Sequence, residues 1–119
     1  MKNRIAITTG DILGVGEEIT KKALEIIKPD KNQILIIGKN LNLGYETIEI
    51  DQKDNGFHCF ESLKTACELA NKNIIQGIVT APVAKEALYK SGYKYNGQTE
   101  ILEKFLSKNE QEKAEMVFI

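Results

Sequence analysis

The 119-residue chain holds one histidine, one arginine and two cysteines, and each scarcity removes a class of chemistry. His58 is a lone histidine with no cluster of cysteines or paired carboxylates at metal-ligand spacing, so it reads as a structural residue. With Arg4 as the only guanidinium, any phosphate site must rest on lysine and backbone amides rather than on bidentate clamps. Cys59 and Cys67 stand in a helix-like segment at a spacing that separates their backbones by ~12 Å, beyond disulfide reach, so they read as reduced thiols. A charge excess is missing too. Sixteen basic residues face seventeen acidic ones, for a net charge of −1, which leaves no field to hold nucleic acid or an anionic membrane surface. Nor is there a long apolar run. The apolar stretch after Met1-Lys2-Asn3-Arg4 is too short for a secretory or membrane-spanning segment, which predicts a cytoplasmic protein.

A hydrophobic content of 42% suffices for one compact core. Arg4-Ile5-Ala6-Ile7-Thr8 and Gln33-Ile34-Leu35-Ile36-Ile37-Gly38 are continuous apolar runs of the kind found in parallel strands buried on both faces. Between them Val15, Ile19, Ala23, Ile26 and Ile27 recur at helical spacing, a pattern that predicts a core-facing helix stopped by Pro29. A short edge strand at Thr47-Ile48-Glu49-Ile50 is followed by a second amphipathic helix from Phe60 to Asn73 and a strand at Gly77-Ile78-Val79-Thr80. Pro82 is expected at the first position of a short third helix ended by Gly92, and Thr99 as the cap of a fourth. Glu115 to Ile119 reads as a further strand, one whose lack of cover suggests a chain cut short. Alternating strands and helices predict an α/β fold, a layered, mostly parallel sheet with flanking helices.

Three segments sit where a loop feeds a helix, the place where open α/β sheets bind ligands. Thr8-Thr9-Gly10-Asp11-Ile12-Leu13-Gly14-Val15-Gly16-Glu17-Glu18 has glycines that permit close backbone approach and opens a helix whose amides suit an anion, or else makes a tight turn and nothing more. It matches neither a dinucleotide fingerprint, which would need glycine at Ile19, nor a Walker A loop, which would need one at Val15. Val79-Thr80-Ala81-Pro82-Val83-Ala84-Lys85 places an ammonium near a strand's carboxyl end, where Lys85 either meets an anionic substrate or is a solvated surface lysine. The third segment is Gly92-Tyr93-Lys94-Tyr95-Asn96-Gly97-Gln98-Thr99-Glu100.

Together these segments resemble the N-terminal portion of the 4-hydroxythreonine-4-phosphate dehydrogenase (PdxA) family of vitamin B6 biosynthesis. The first is similar to a Thr-Pro-Gly-Asp-Pro-x-Gly-Ile-Gly-Pro-Glu segment, with the three prolines replaced by Thr9, Ile12 and Glu17, which leaves the loop less rigid. The second resembles Thr-Ala-Pro-Ile-Asn-Lys, with Ala84 for asparagine, and the third resembles Gly-His-Thr-Glu, with Gln98 for histidine. The resemblance implies a two-domain fold like isocitrate and isopropylmalate dehydrogenases, a homodimer, and NAD- or NADP-dependent oxidation of 4-(phosphooxy)-L-threonine followed by loss of CO2. It implies that residues 1–119 are the N-terminal portion of such an enzyme and that its divalent metal is held by three histidines beyond Ile119. Gln98 and Thr99 are the implied substrate contacts, with Asp11 and Lys85 as further candidates at a site for a small phosphorylated substrate. Glutamine cannot titrate near neutrality as imidazole does, which puts unaltered catalysis in doubt. Two alternatives stay open: a truncated, non-catalytic fragment that binds a phosphorylated ligand, and a relative that acts on another phosphorylated hydroxy acid.

Overall fold

The computed structural model describes residues 3–106 and 115–118. Five strands, β1 (Ile5–Thr8), β2 (Ile34–Gly38), β3 (Glu46–Glu49), β4 (Gly77–Thr80) and β5 (Glu115–Phe118), form one sheet in the order β3-β2-β1-β4-β5. Every pairing is parallel, with Ile5, Ala6, Ile7 and Thr8 in register with Ile34 to Ile37 on one side and Gly77 to Thr80 on the other. The chain leaves β1 toward β2 and later returns on the far side as β4. The carboxyl ends of β1 and β4 therefore flank a topological switch point.

Four helices connect the strands: α1 (Gly16–Ile27), α2 (Asn55–Asn71), α3 (Lys85–Lys90) and α4 (Gln98–Phe105). Alternation of side chains along β1 and β2 splits the core into two clusters. On one face Ala6, Leu35, Ile37 and Ile78 pack against Cys59, Leu63, Ala66 and Cys67 of α2, with Leu88 of α3 and Ile101 and Leu102 of α4 behind them. Phe60 stacks on Tyr93, with ring centroids 4.2 Å apart, and meets Phe105 edge-on, which ties α2 to the segment between α3 and α4 and to α4 itself. On the other face Ile7, Ile34 and Ile36 pack against Leu24 of α1 and Leu41 of the β2–β3 connection.

Four expectations are corrected. The apolar stripe of α1 does not face the core: Gly16, Thr20 and Leu24 are buried, whereas Val15 is 60% and Ile26 81% exposed. Helix α2 starts at Asn55 rather than Phe60, because the Asp54 carboxylate accepts hydrogen bonds from the Gly56 and Phe57 amides at 3.0 and 3.4 Å. Helix α3 starts at Lys85, which leaves Pro82 in the loop before it. Helix α4 starts at Gln98 with Gly97 as its cap residue, so Thr99 lies inside the first turn and makes no cap. The expected last strand is present as β5, paired to β4. His58 is interior to α2, fully buried, with Nδ1 3.2 Å from the Ile50 carbonyl and 3.3 Å from that of Asp51, which makes Nδ1 the donor and pins the exit of β3.

Candidate functional site

At the switch point the loops leaving β1 and β4 are joined by backbone hydrogen bonds. The Ala81 amide donates to the Thr8 carbonyl at 3.1 Å, and the Asp11 amide donates to the Pro82 carbonyl at 2.9 Å. Glycine makes this closeness possible. Gly10 adopts φ +71°, and a β-carbon there would lie 2.9 Å from the Ala81 carbonyl oxygen and closer still to that of Pro82. A β-carbon at Gly16 would lie 2.7 Å from the Ala81 β-carbon. These two glycines thus permit the close approach of one loop to the other.

Asp11 sits in the middle of this junction. Its Oδ1 accepts from the Leu13 amide at 3.0 Å and from Asn55 Nδ2 at 2.7 Å, which closes a tight turn and anchors it to the start of α2. Asn55 uses its other side-chain atom as well: Oδ1 accepts from the Ile12 amide at 3.0 Å and lies 3.6 Å from Cys59 Sγ. Nothing in the sequence marks Asn55 beyond its place in a polar stretch. Cys59 and Cys67 are both free and buried, and burial pushes the Cys59 thiol up to about 11 and the Cys67 thiol to about 12, so neither is a nucleophile near neutrality. Thr8 and Thr80, in register on adjacent strands, are fully buried, and their hydroxyls find no hydrogen-bond partner among the described residues.

A second arrangement braces the loop from the β2 side. Thr9 donates its amide to Ile37 at 3.0 Å and accepts at Oγ1 from the Lys39 amide at 3.0 Å, while Lys39 Nζ lies 2.7 Å from Glu17 Oε2 in the first turn of α1. The Lys39 hydrogen bond holds the Glu17 carboxyl below the usual carboxylate range.

The four candidate site residues are therefore distributed. Asp11 lies in the switch-point junction, and Lys85 is exposed at the start of α3, three positions beyond the Pro82 carbonyl that Asp11 meets. Gln98 and Thr99 line a surface pocket with Asn96, Gly97, Glu100 and Glu103, and neither Asp11 nor Lys85 lines it. Tyr89 of α3 reaches Asn96 at 3.4 Å, which links the two regions through α3. Among the described residues no three His, Cys, Asp or Glu side chains come together as a set of metal ligands.

Comparison with known proteins places this geometry in a family. The family model described as "Pyridoxal phosphate biosynthetic protein PdxA" matches residues 3–119. A 4-hydroxythreonine-4-phosphate dehydrogenase from Beijerinckia indica subsp. indica is 31% identical over 82% of the chain, which covers 40% of that relative. A D-threonate 4-phosphate dehydrogenase from Bordetella bronchiseptica is 27% identical over 82% of the chain, again covering 40% of the relative. Among solved structures, a 4-hydroxythreonine-4-phosphate dehydrogenase from Burkholderia phymatum superposes with a TM-score of 0.71 at 25% identity, over 91% of this chain and 45% of that one. The chain thus spans about 40% of the length of the curated relatives it matches.

Proposed function

Because the chain belongs to the PdxA family of pyridoxal phosphate biosynthetic proteins, we propose that it forms the N-terminal portion of an NAD- or NADP-dependent dehydrogenase that oxidises 4-phosphohydroxythreonine. The observation that carries this reading is the family match along residues 3–119, which includes all three loop segments. In this reading the whole enzyme has the two-domain architecture of isocitrate and isopropylmalate dehydrogenases and works as a cytoplasmic homodimer.

The roles open to this chain's residues are binding and orientation. The Thr99 hydroxyl and the Gln98 amide border a common pocket and can donate to and accept from a phosphate or a substrate hydroxyl. Lys85, exposed at the start of α3, supplies an ammonium to a phosphate or carboxylate. Asp11 shapes the rim, because its Oδ1 is engaged by the Leu13 amide and Asn55. Bound NAD or NADP would accept the hydride. The described residues do not fit the divalent metal that the family resemblance implies, so no step assigned to them passes through it.

One observation favours a second reading, in which the substrate is a different phosphorylated hydroxy acid. The Bordetella relative bears the name of a D-threonate 4-phosphate dehydrogenase, and Gln98 replaces the histidine of the Gly-His-Thr-Glu segment. Thermal melting with each phosphorylated acid in turn separates the two. The acid that binds at 100 times its Kd should add about 2.7 kcal/mol of stability, and Thr99→Ala should reduce that gain. A Gln98→His variant that shifts the preference toward 4-phosphohydroxythreonine supports the second reading. If neither acid moves the melting temperature, the proposed binding role is wrong.

A further inference from the structure

The amino end of the sheet carries an open cleft of about 860 Å³, across the strands from the switch point. It is lined by Arg4 before β1, Lys31 and Asn32 of the 3-10 turn before β2, Asn40 and Asn42 of the β2–β3 connection, and Glu46 at the start of β3. Its central cation is fixed in place. Lys31 Nζ donates to the Leu43 carbonyl at 3.0 Å and stands 5.5 Å from the centre of the Tyr45 ring. Gly44, at φ +84°, makes room for that ammonium, since a β-carbon there would lie 2.5 Å from Nζ. The cleft holds an excess of hydrogen-bond donors. Among the described residues the Arg4 guanidinium makes one hydrogen bond, to Glu46 at 2.7 Å, and its Nε is buried without a partner. The side chains of Asn32, Asn40 and Asn42 donate none, and only Asn40 Oδ1 is engaged, by the Asn42 amide at 2.9 Å. Two cations thus face one carboxylate, which is already committed to Arg4. Asp30, next to Lys31, accepts from the Asn32 amide at 2.9 Å and does not line the cleft. In a chain with an overall charge of −1, this is a local positive, donor-rich site.

We propose that this cleft binds a phosphate group, either free or as the monoester of a small hydroxylated molecule. A phosphate presents three strong acceptor oxygens in a tetrahedral array, which suits donors standing on three separate chain segments, whereas a planar carboxylate offers two oxygens. Lys31 supplies the fixed point charge, Arg4 a guanidinium with unused donors, and the asparagine amides neutral donors and acceptors that also suit the hydroxyls of an ester. None of these residues lines the pocket of Gln98 and Thr99, so the inference does not rest on the reaction proposed above.

The test titrates the 15N-labelled chain with glycerol 3-phosphate, inorganic phosphate and glycerate in parallel, at constant ionic strength set with sodium chloride, and follows the amide resonances by NMR. Both phosphates should shift the amides of residues 31, 32 and 40–46 along saturable curves, and glycerate should not. Whichever phosphate binds more tightly names the source, ester or free anion. Lys31→Gln should weaken binding by about fivefold, the loss expected for one exposed charge contact. Asn42→Gly should weaken it too, without backbone strain, because Asn42 already sits at φ 58°. Thr99→Ala should leave these curves unchanged. Shifts confined to residues 96–100, an equal response to glycerate, or an affinity unaltered in both Lys31→Gln and Asn42→Gly would each overturn the proposal. So would the absence of any saturable shift at about 20 mM phosphate, a range in which even millimolar binding is visible. The curves at residues 40–46 and those at residues 96–100 are read separately, so failure of the substrate pocket and failure of this cleft are distinguishable.

Discussion

Replacing Gly10 by alanine tests whether the closeness of the β1 and β4 loops, rather than the turn alone, demands glycine. Two penalties apply. The φ of +71° is left-handed, which costs an L-residue about 1–2 kcal/mol. The added methyl would also press on the Ala81 and Pro82 carbonyl oxygens, which are backbone atoms held by the Thr8–Ala81 and Asp11–Pro82 hydrogen bonds, and such overpacking costs about 1–3 kcal/mol. Gly92 is the control, since its φ is +89° but no described residue lies within 4 Å of a β-carbon there, so only the first penalty remains. Gly10→Ala should therefore lose about 3 kcal/mol and Gly92→Ala about 1 kcal/mol. At about 4 °C per kcal/mol for a domain of this size, that is about 12 °C against about 4 °C in melting temperature. Calorimetry or circular dichroism on the two variants measures it. A Gly10→Ala variant no less stable than Gly92→Ala would refute the packing argument and return the β1 loop to the status of an ordinary turn.

Two more outcomes follow from the same region. Asn55→Ala removes one partner of Asp11 and leaves the part-buried Ile12 amide without its acceptor, which should cost about 1–2 kcal/mol in urea unfolding. Asn55→Asp should be less stable than Asn55→Ala near neutrality, because it replaces the amide that donates to Asp11 Oδ1 with a second acidic group; a variant as stable as Asn55→Ala contradicts the pairing. Lys39→Met should cost no more than about 1 kcal/mol near neutrality, because the Glu17 and Lys39 side chains are 28% and 36% exposed and solvent screens the pair. The Glu17 carboxyl is depressed in the fold, so its contribution is present above the unfolded carboxylate pKa and disappears as pH falls through the folded value. The difference between wild type and Lys39→Met should accordingly shrink below about pH 4.3, and one that stays constant down to pH 3 rules the linkage out.

The architecture was readable because parallel strands buried on two faces leave apolar runs that few other structures produce. Ile34 to Ile37 announces β2 in this way. The sequence pattern of α2 lacks its first turn, because Asn55 and Gly56 look like loop residues. Gly56 is there for a tertiary reason: a β-carbon would collide with Ala87 and Ser91 at the α2–α3 contact. Likewise the period of α1 reports an apolar flank but not what lies against it. A helix with an exposed apolar flank and one packed on a sheet can have the same pattern.

The candidate site was legible as a place rather than as a set of contacts. Glycine in a strand-to-helix turn means that something approaches the backbone closely, and the sequence does not say whether that is a phosphate or another loop. For Gly10 and Gly16 the neighbour is the β4 exit. Asp11 likewise looks like an exposed acid until Asn55, forty-four positions away in the chain, is found at 2.7 Å. Gln98 and Thr99 were found from resemblance alone, and the fold gives them a pocket apart from the switch point. The physical consequence is a division of labour across α3. The β1 and β4 loops are closed by backbone hydrogen bonds at their junction, while Gln98 and Thr99, the residues proposed to meet a substrate, line a separate surface pocket beside Asn96, which Tyr89 of α3 reaches. Under this division a substitution at Thr99 should alter ligand binding while leaving the melting temperature of the free chain nearly unchanged, whereas one at Gly10 should lower stability whether or not ligand is present.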